Sequence, residues 1–173
     1  MKKLILVACI LMGIVRVNAQ ATQPTDVVQP PYLRFPTVPP FKILAVDSTT
    51  WITKDDLKKN RLTLIMFFSP ECDHCKHQTQ DMLAQFDKFK DIEIVMATYQ
   101  PFDEMRTFYN YYRIADHPNI RMGRDEKYML PPYYKMQSLP YLALYDKKGN
   151  YITHFEGNQK VETIMNAFNK GKD

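Results

Sequence analysis

Leu62-Thr63-Leu64-Ile65-Met66-Phe67-Phe68-Ser69-Pro70-Glu71-Cys72-Asp73-His74-Cys75 joins a nearly unbroken apolar run to two cysteines spaced by two residues. The run over 62–68 has the pattern of a central strand buried on both faces. Beyond it, Cys75, Met82, Leu83, Phe86 and Phe89 recur at three- and four-residue intervals. That spacing predicts a helix over 73–90 with one apolar stripe, and it places Cys72 at the helix start. The unpaired N–H groups and the positive dipole end there favour a thiolate over a thiol. Such placement can bring a cysteine pKa from about 8.5 down to roughly 3.5–7.5. Cys72 is therefore the candidate nucleophile, attacking a substrate disulfide to give a mixed disulfide. Cys75, one turn on and more buried, is the candidate resolving thiol. Between them, a protonated His74 would stabilise the thiolate and Asp73 would disfavour it, so these two are the candidate tuning residues. For this couple about 30 mV corresponds to roughly 1.4 kcal/mol, so modest thiolate stabilisation moves such a site between reductant and oxidant.

The flanking sequence repeats the strand and helix alternation. Residues 92–97 read as a strand, and 103–112 as a helix with Met105, Phe108, Tyr109 and Tyr112 on one side. Strand, helix, strand points to parallel crossovers. Residues 115–138 read as loop-rich. The apolar runs 141–145 and 151–155 flank Asp146-Lys147-Lys148-Gly149-Asn150 as a hairpin, and 161–168 reads as a closing amphipathic helix. Ahead of the main fold, 41–46 and 51–52 surround the polar turn Asp47-Ser48-Thr49-Thr50 as an added hairpin. Six prolines within 20–40 and no helical period predict an extended lead-in over 20–37, leaving 38–173 as one α/β domain.

Residues 1–19 read as a signal peptide. Lys2 and Lys3 precede an apolar stretch over 4–15 that is too short to span a bilayer, and Val17-Asn18-Ala19 fits cleavage after Ala19. Leu6-Val7-Ala8-Cys9 also fits a lipobox, so membrane contact is expected only if Cys9 carries a lipid. The protein is expected in the periplasm or cell envelope. Of 173 residues, 45% are hydrophobic and 24% charged, which suits one folded domain and excludes a disordered or collagen-like chain. The formal charge is +4, but Lys2, Lys3 and Arg16 lie in the leader, and without them 20 basic residues face 19 acidic. A near-neutral body with no long basic run gives no reason to expect nucleic-acid binding. The mature chain keeps two cysteines, and a bridge closing so short a loop does little for stability, so Cys72 and Cys75 are better suited to chemistry than to stapling. An alternative uses Cys72, His74, Cys75 and His77 to bind or carry zinc or copper. Structural zinc usually draws on two separated pairs, however, and His117 and His154 have no companion of that kind. No metal and no cofactor beyond the cysteine pair is expected.

With Leu64 to Cys75, Ser138-Leu139-Pro140-Tyr141-Leu142-Ala143-Leu144-Tyr145 and the following Asp146-Lys147-Lys148-Gly149-Asn150, the chain resembles the thioredoxin superfamily. It is most similar there to the extracytoplasmic TlpA/ResA-like thiol-disulfide oxidoreductases. Pro39-Pro40-Phe41-Lys42-Ile43-Leu44 resembles the start of that group's extra N-terminal hairpin. The resemblance implies a thioredoxin-like fold, a central mixed β-sheet flanked by α-helices with the added hairpin. It also implies an enzyme whose partners are disulfide-containing client proteins and an upstream thiol electron donor. Leu139 and Pro140 are implied as substrate-binding residues, the Leu139-Pro140 peptide being cis and lying against the disulfide. An oxidase working in the opposite direction and a non-catalytic envelope binding module are the other readings.

Two positions depart from these relatives. Thioredoxins resemble one another in a buried Asp six positions before the first cysteine, where this chain has Met66. ResA-like proteins often carry Glu three positions after the second, where this chain has Gln78. Asp73, Glu71, His74 or water are left as proton carriers. The segment 105–145 concentrates nine aromatic residues, most of them expected in the core, with Met129, Pro131, Pro132 and Tyr133 as the expected substrate-facing rim.

Overall fold

The computed structural model describes residues 29–171. The proposed leader, its cleavage point and Cys9 lie outside the described residues. Helix α1 (Pro31–Arg34) is followed by strands β1 (Lys42–Ala45) and β2 (Trp51–Thr53), then β3 (Leu62–Phe67), α2 (Asp73–Ala84), β4 (Ile92–Thr98) and α3 (Phe102–Tyr111). After these come β5 (Ile120–Arg124), α4 (Leu130–Tyr134), β6 (Tyr141–Tyr145), β7 (Tyr151–Glu156) and α5 (Val161–Lys170).

The seven strands form one sheet in the order β2-β1-β5-β4-β3-β6-β7. β3, β4 and β5 run parallel, while β6 pairs antiparallel with β3, and β1 antiparallel with both β2 and β5. This is the expected mixed sheet with an N-terminal hairpin at its edge. Every residue of β3 and β4 is buried, which is why both sequences read as mostly apolar, with Thr63, Glu93 and Thr98 as the buried polar exceptions. Their side chains divide between two cores. Leu64, Met66, Ile94 and Met96 pack with Met82, Met105, Phe108, Ile164 and Phe168 from α2, α3 and α5. Ile65, Phe67, Val95 and Ala97 pack with Phe41 and Ile43 of the N-terminal segment and with Leu130 and Tyr134 of α4.

Three expectations are corrected. Residues 115–138 hold β5 and α4, so they are not simply loop. β5 was hidden because its apolar residues Ile120 and Met122 are interrupted by Arg121, Gly123 and Arg124. The helix over 73–90 stops at Ala84, and a 3-10 turn (Phe86–Phe89) continues it. The three-residue spacing of Phe86 and Phe89 is the period of that turn. Finally, the described part of the lead-in is seated on the domain. Residues 31–34 form one helical turn, Tyr32 packs edge-on against Tyr151 with centroids 5.3 Å apart, and Thr37 bridges to Asn150. Among the described residues no helix is long and apolar enough to cross a membrane.

Candidate active site

At the C-terminal end of β3 the ladder runs one residue further, the Phe68 N–H donating to the Ala97 carbonyl at 3.0 Å. Ser69, Pro70 and Glu71 then turn the chain into α2, closed by the Cys72 N–H donating to the Ser69 carbonyl at 3.1 Å. Cys72 is the N-cap of α2. Its Sγ takes the place a Ser, Asp or Asn oxygen usually holds and accepts from the Cys75 N–H at 3.3 Å. One of the free N–H groups at the helix start is thereby aimed at a sulfur.

The two cysteines are both free thiols in unlike surroundings. Cys72 is half-buried, whereas Cys75 is 0% exposed and belongs to the core beneath α2, α3 and α5. Burial pushes the Cys75 thiol far above the ordinary cysteine range. The neighbouring Cys72 sulfur adds to this, and a hydrogen bond from the Ser69 backbone offsets only part of it.

Immediately before the neighbouring strand β6 the Leu139-Pro140 peptide is cis. The β3–β6 register sets Phe67 opposite Tyr141, so Pro140 lies at the sheet end where the chain leaves β3 for Cys72. The Pro140 carbonyl accepts from the Gly157 N–H at 2.9 Å. Leu139 is partly buried against the same core as Cys72, and among the described residues its N–H and C=O make no hydrogen bond. Beside this loop is a cleft of about 180 Å³ lined by Phe67, Tyr99, Tyr128, Pro131, Ser138 and Leu139. Tyr99 stacks on Phe67 with centroids 6.1 Å apart, and Tyr128 stands edge-on to Tyr99 at 5.2 Å.

The sequence pattern of the thioredoxin-like family matches residues 60–151, just over half of the chain. The chain belongs to the thioredoxin-like family. No curated protein matches it in sequence. Solved structures share the thioredoxin-like fold at low identity. A secreted Mycobacterium tuberculosis disulfide oxidoreductase homologous to E. coli DsbE is 12% identical, with a TM-score of 0.62 over 76% of this chain and 96% of that one. StoA from Bacillus subtilis is 19% identical, with a TM-score of 0.57 over 76% and 98%. The exposed lipoprotein thioredoxin of Streptococcus pneumoniae is 19% identical, with a TM-score of 0.59 over 75% and 98%.

Within this thioredoxin-like frame, Cys72 and Cys75 at the start of α2 and Leu139 and Pro140 ahead of β6 lie at the same end of the sheet. Asp73 and His74 face solvent on the first turn of α2, and Asp73 pairs with Lys76 at 3.3 Å. Met66 is wholly buried. Gln78 is also 0% exposed and clamps the chain ahead of α5: its Oε1 accepts from the Gln159 N–H at 2.6 Å and its Nε2 donates to the Gln159 carbonyl at 3.2 Å. Position 78 is thus a structural link between α2 and the β7–α5 connection. Among the described residues no three His, Cys, Asp or Glu side chains are grouped so as to hold a metal ion, and His74 and His77 are exposed.

The expected rim is corrected in part. Pro131 lines the cleft beside Leu139, but Met129 and Tyr133 pack against the second core, the Tyr133 hydroxyl donating to the Phe35 carbonyl at 3.2 Å, and Pro132 is exposed away from the cleft. Tyr99 and Tyr128 line the cleft with Pro131. The sequence signal for Tyr128 is an aromatic residue beside Lys127 and outside any apolar period; in the structure it adopts φ +50°, unusual for a bulky residue.

Proposed function

We propose that this chain is an exported thiol-disulfide oxidoreductase of the cell envelope that reduces or exchanges protein disulfides through Cys72 and Cys75. One observation carries the reading: the sulfur of a half-buried cysteine at a helix start receives a backbone N–H, and a fully buried cysteine, its thiol pushed up by burial, stands one turn behind it. The Cys72 thiolate attacks one sulfur of a client disulfide. A Cys72–client bond forms, the client S–S bond breaks, and the client's other sulfur leaves as a thiolate that takes up a proton. Cys75 then gives up its proton and attacks the Cys72 sulfur, closing the Cys72–Cys75 disulfide and releasing the second client thiolate. The client gains two electrons and the enzyme loses two, which an upstream thiol donor restores. Attack within the protein proceeds at high effective concentration, which makes the second step fast.

The unbonded backbone of Leu139 beside cis Pro140 supports a role in pairing with an extended client strand over the cysteines. Asp73 and His74, exposed beside Cys72, are positioned to tune its thiolate and to exchange protons with solvent. The leader-like residues 1–19 support export, as do structural relatives described as secreted and as an exposed lipoprotein. The test is turnover of a small disulfide with dithiothreitol as donor. Cys72→Ser lowers the rate to that of the uncatalysed reaction. Full turnover by Cys72→Ser contradicts the reading.

A further inference from the structure

Beside the redox motif, on the α2 and α3 side, lies a recess of about 540 Å³ that the exchange chemistry itself does not use. It begins at Pro70 and Glu71, immediately before Cys72, and runs between the first two turns of α2 and the length of α3. Its carboxylates are Glu71, Asp103 and Glu104, and its aromatic wall is Phe108, Tyr111 and Tyr112. Lys76 is the one cation in the lining, and it is engaged by Asp73 at 3.3 Å. Asp103 is met by Arg106 at 3.6 Å, whereas Glu71 and Glu104 form no ion pair among the described residues. Glu104 is nonetheless half-buried. Three carboxylates against one lysine leave the lining net negative, with Glu71 and Glu104 free of any direct ion pair among the described residues.

The aromatic wall is unusual for this molecule. Tyr111 is 75% exposed, the most exposed large hydrophobic side chain among the described residues, and it stands edge-on to Tyr112 with centroids 4.9 Å apart. It lies off the stripe of Met105, Phe108, Tyr109 and Tyr112 that faces the core, so packing does not account for it. Exposed aromatic faces beside unpaired carboxylates suit a guanidinium or ammonium group, which gains from the ring quadrupole and from the opposite charge together. A client cysteine bonded to Cys72 would bring its own neighbours within a few residues of this recess, since an extended chain advances about 3.3 Å per residue.

We infer that the recess receives an arginine or lysine side chain from the client segment flanking the disulfide that Cys72 attacks. This rests on the exchange reading above and narrows its substrates to disulfides with a cationic neighbour. The occupant is fixed by charge complementarity and by continuity with the redox motif.

The experiment uses three disulfide-bonded peptides that differ only in one residue near the disulfide, Arg, Gln or Glu, with a small aliphatic disulfide as reference. The Arg peptide is expected to show kcat/KM about tenfold above the Gln peptide, most of it in KM, with the Glu peptide below both. High salt should narrow the spread. In Glu104→Gln and in Tyr111→Ala the ratio of Arg to Gln peptide should fall several-fold, and in Glu104→Lys the Glu peptide should overtake the Arg peptide. Because each readout is a ratio within one protein, a general loss of folded enzyme does not produce it. Equal kcat/KM for the three peptides, or a preference for Glu in the unaltered protein, overturns the inference while small-disulfide turnover leaves the exchange reading intact. Failure to turn over any disulfide, the small one included, overturns both.

Discussion

Cys72 and Cys75 are three residues apart, yet Cys72 is half-buried while Cys75 is sealed in the core, and the roles proposed for them rest on this difference. The order was legible in the sequence, because a helix start exposes its first residue while position 75 falls on the apolar stripe with Met82 and Phe89. What surrounds Cys75 was less legible. The carboxylates expected from relatives are absent at Met66 and Gln78, and the structure puts a second job on Gln78, a two-point clamp on the Gln159 backbone across 81 residues of sequence. Nothing local could reveal that partner. The clamp predicts the effect of restoring the relatives' residue. In Gln78→Glu one carboxylate oxygen still accepts from the Gln159 N–H, but the other faces the Gln159 carbonyl in a fully buried site, so the variant loses about 1–3 kcal/mol near neutral pH. The introduced carboxyl would have its folded-state pKa raised, since only its protonated form can donate to that carbonyl. Its stability deficit is therefore smallest below about pH 4, the unfolded value, and grows as pH rises through the folded value. Urea midpoints across pH 4–8 check this; a pH-independent midpoint equal to that of the unaltered protein contradicts it.

Strands β3 and β4 and helices α3 and α5 were readable because burial on both faces, or along one stripe, leaves a strong periodic pattern. β5 was not, because its identity as a strand is set by its partners. It sits between β4 and β1, and Gly123 lies where a Cβ would come within 2.9 Å of the Leu44 carbonyl and of Ile43 Cγ1. A lone glycine in an otherwise mixed segment reads as loop in sequence. In the sheet it is the point where the N-terminal hairpin comes closest. Gly123→Ala should force β1 and β5 apart and lower stability by about 1–3 kcal/mol, read as a lower denaturation midpoint with Cys72 reactivity retained. An unchanged midpoint would contradict the close approach. In α3, likewise, the stripe facing the core was legible, while Tyr111, which lies off that stripe, carried no periodic signal of the recess it lines.

Across the molecule, the parallel trio β3, β4 and β5 separates two cores and delivers Cys72 at the end of a fully buried strand, while the antiparallel return of β6 brings Pro140 to the same end. The aromatic wealth of 105–145 was expected mainly in the core, and Tyr134, Tyr141 and Tyr145 are there, with the hydroxyls of Tyr134 and Tyr145 bonded to each other. Tyr111 and Tyr128 remain outside, beside the two recesses flanking the redox motif. Sequence pattern separates buried from exposed far better than it separates one surface recess from another, because a recess is made by segments distant in the chain. The central claim is that Cys72 bonds to the client and Cys75 releases it, and mass spectrometry of the single-cysteine variants after exposure to a peptide disulfide tests it most directly. Cys75→Ser should accumulate one covalent adduct on Cys72 that dithiothreitol removes, and Cys72→Ser should accumulate none. An adduct on Cys75 in Cys72→Ser, with Cys72 left unmodified in Cys75→Ser, would contradict it.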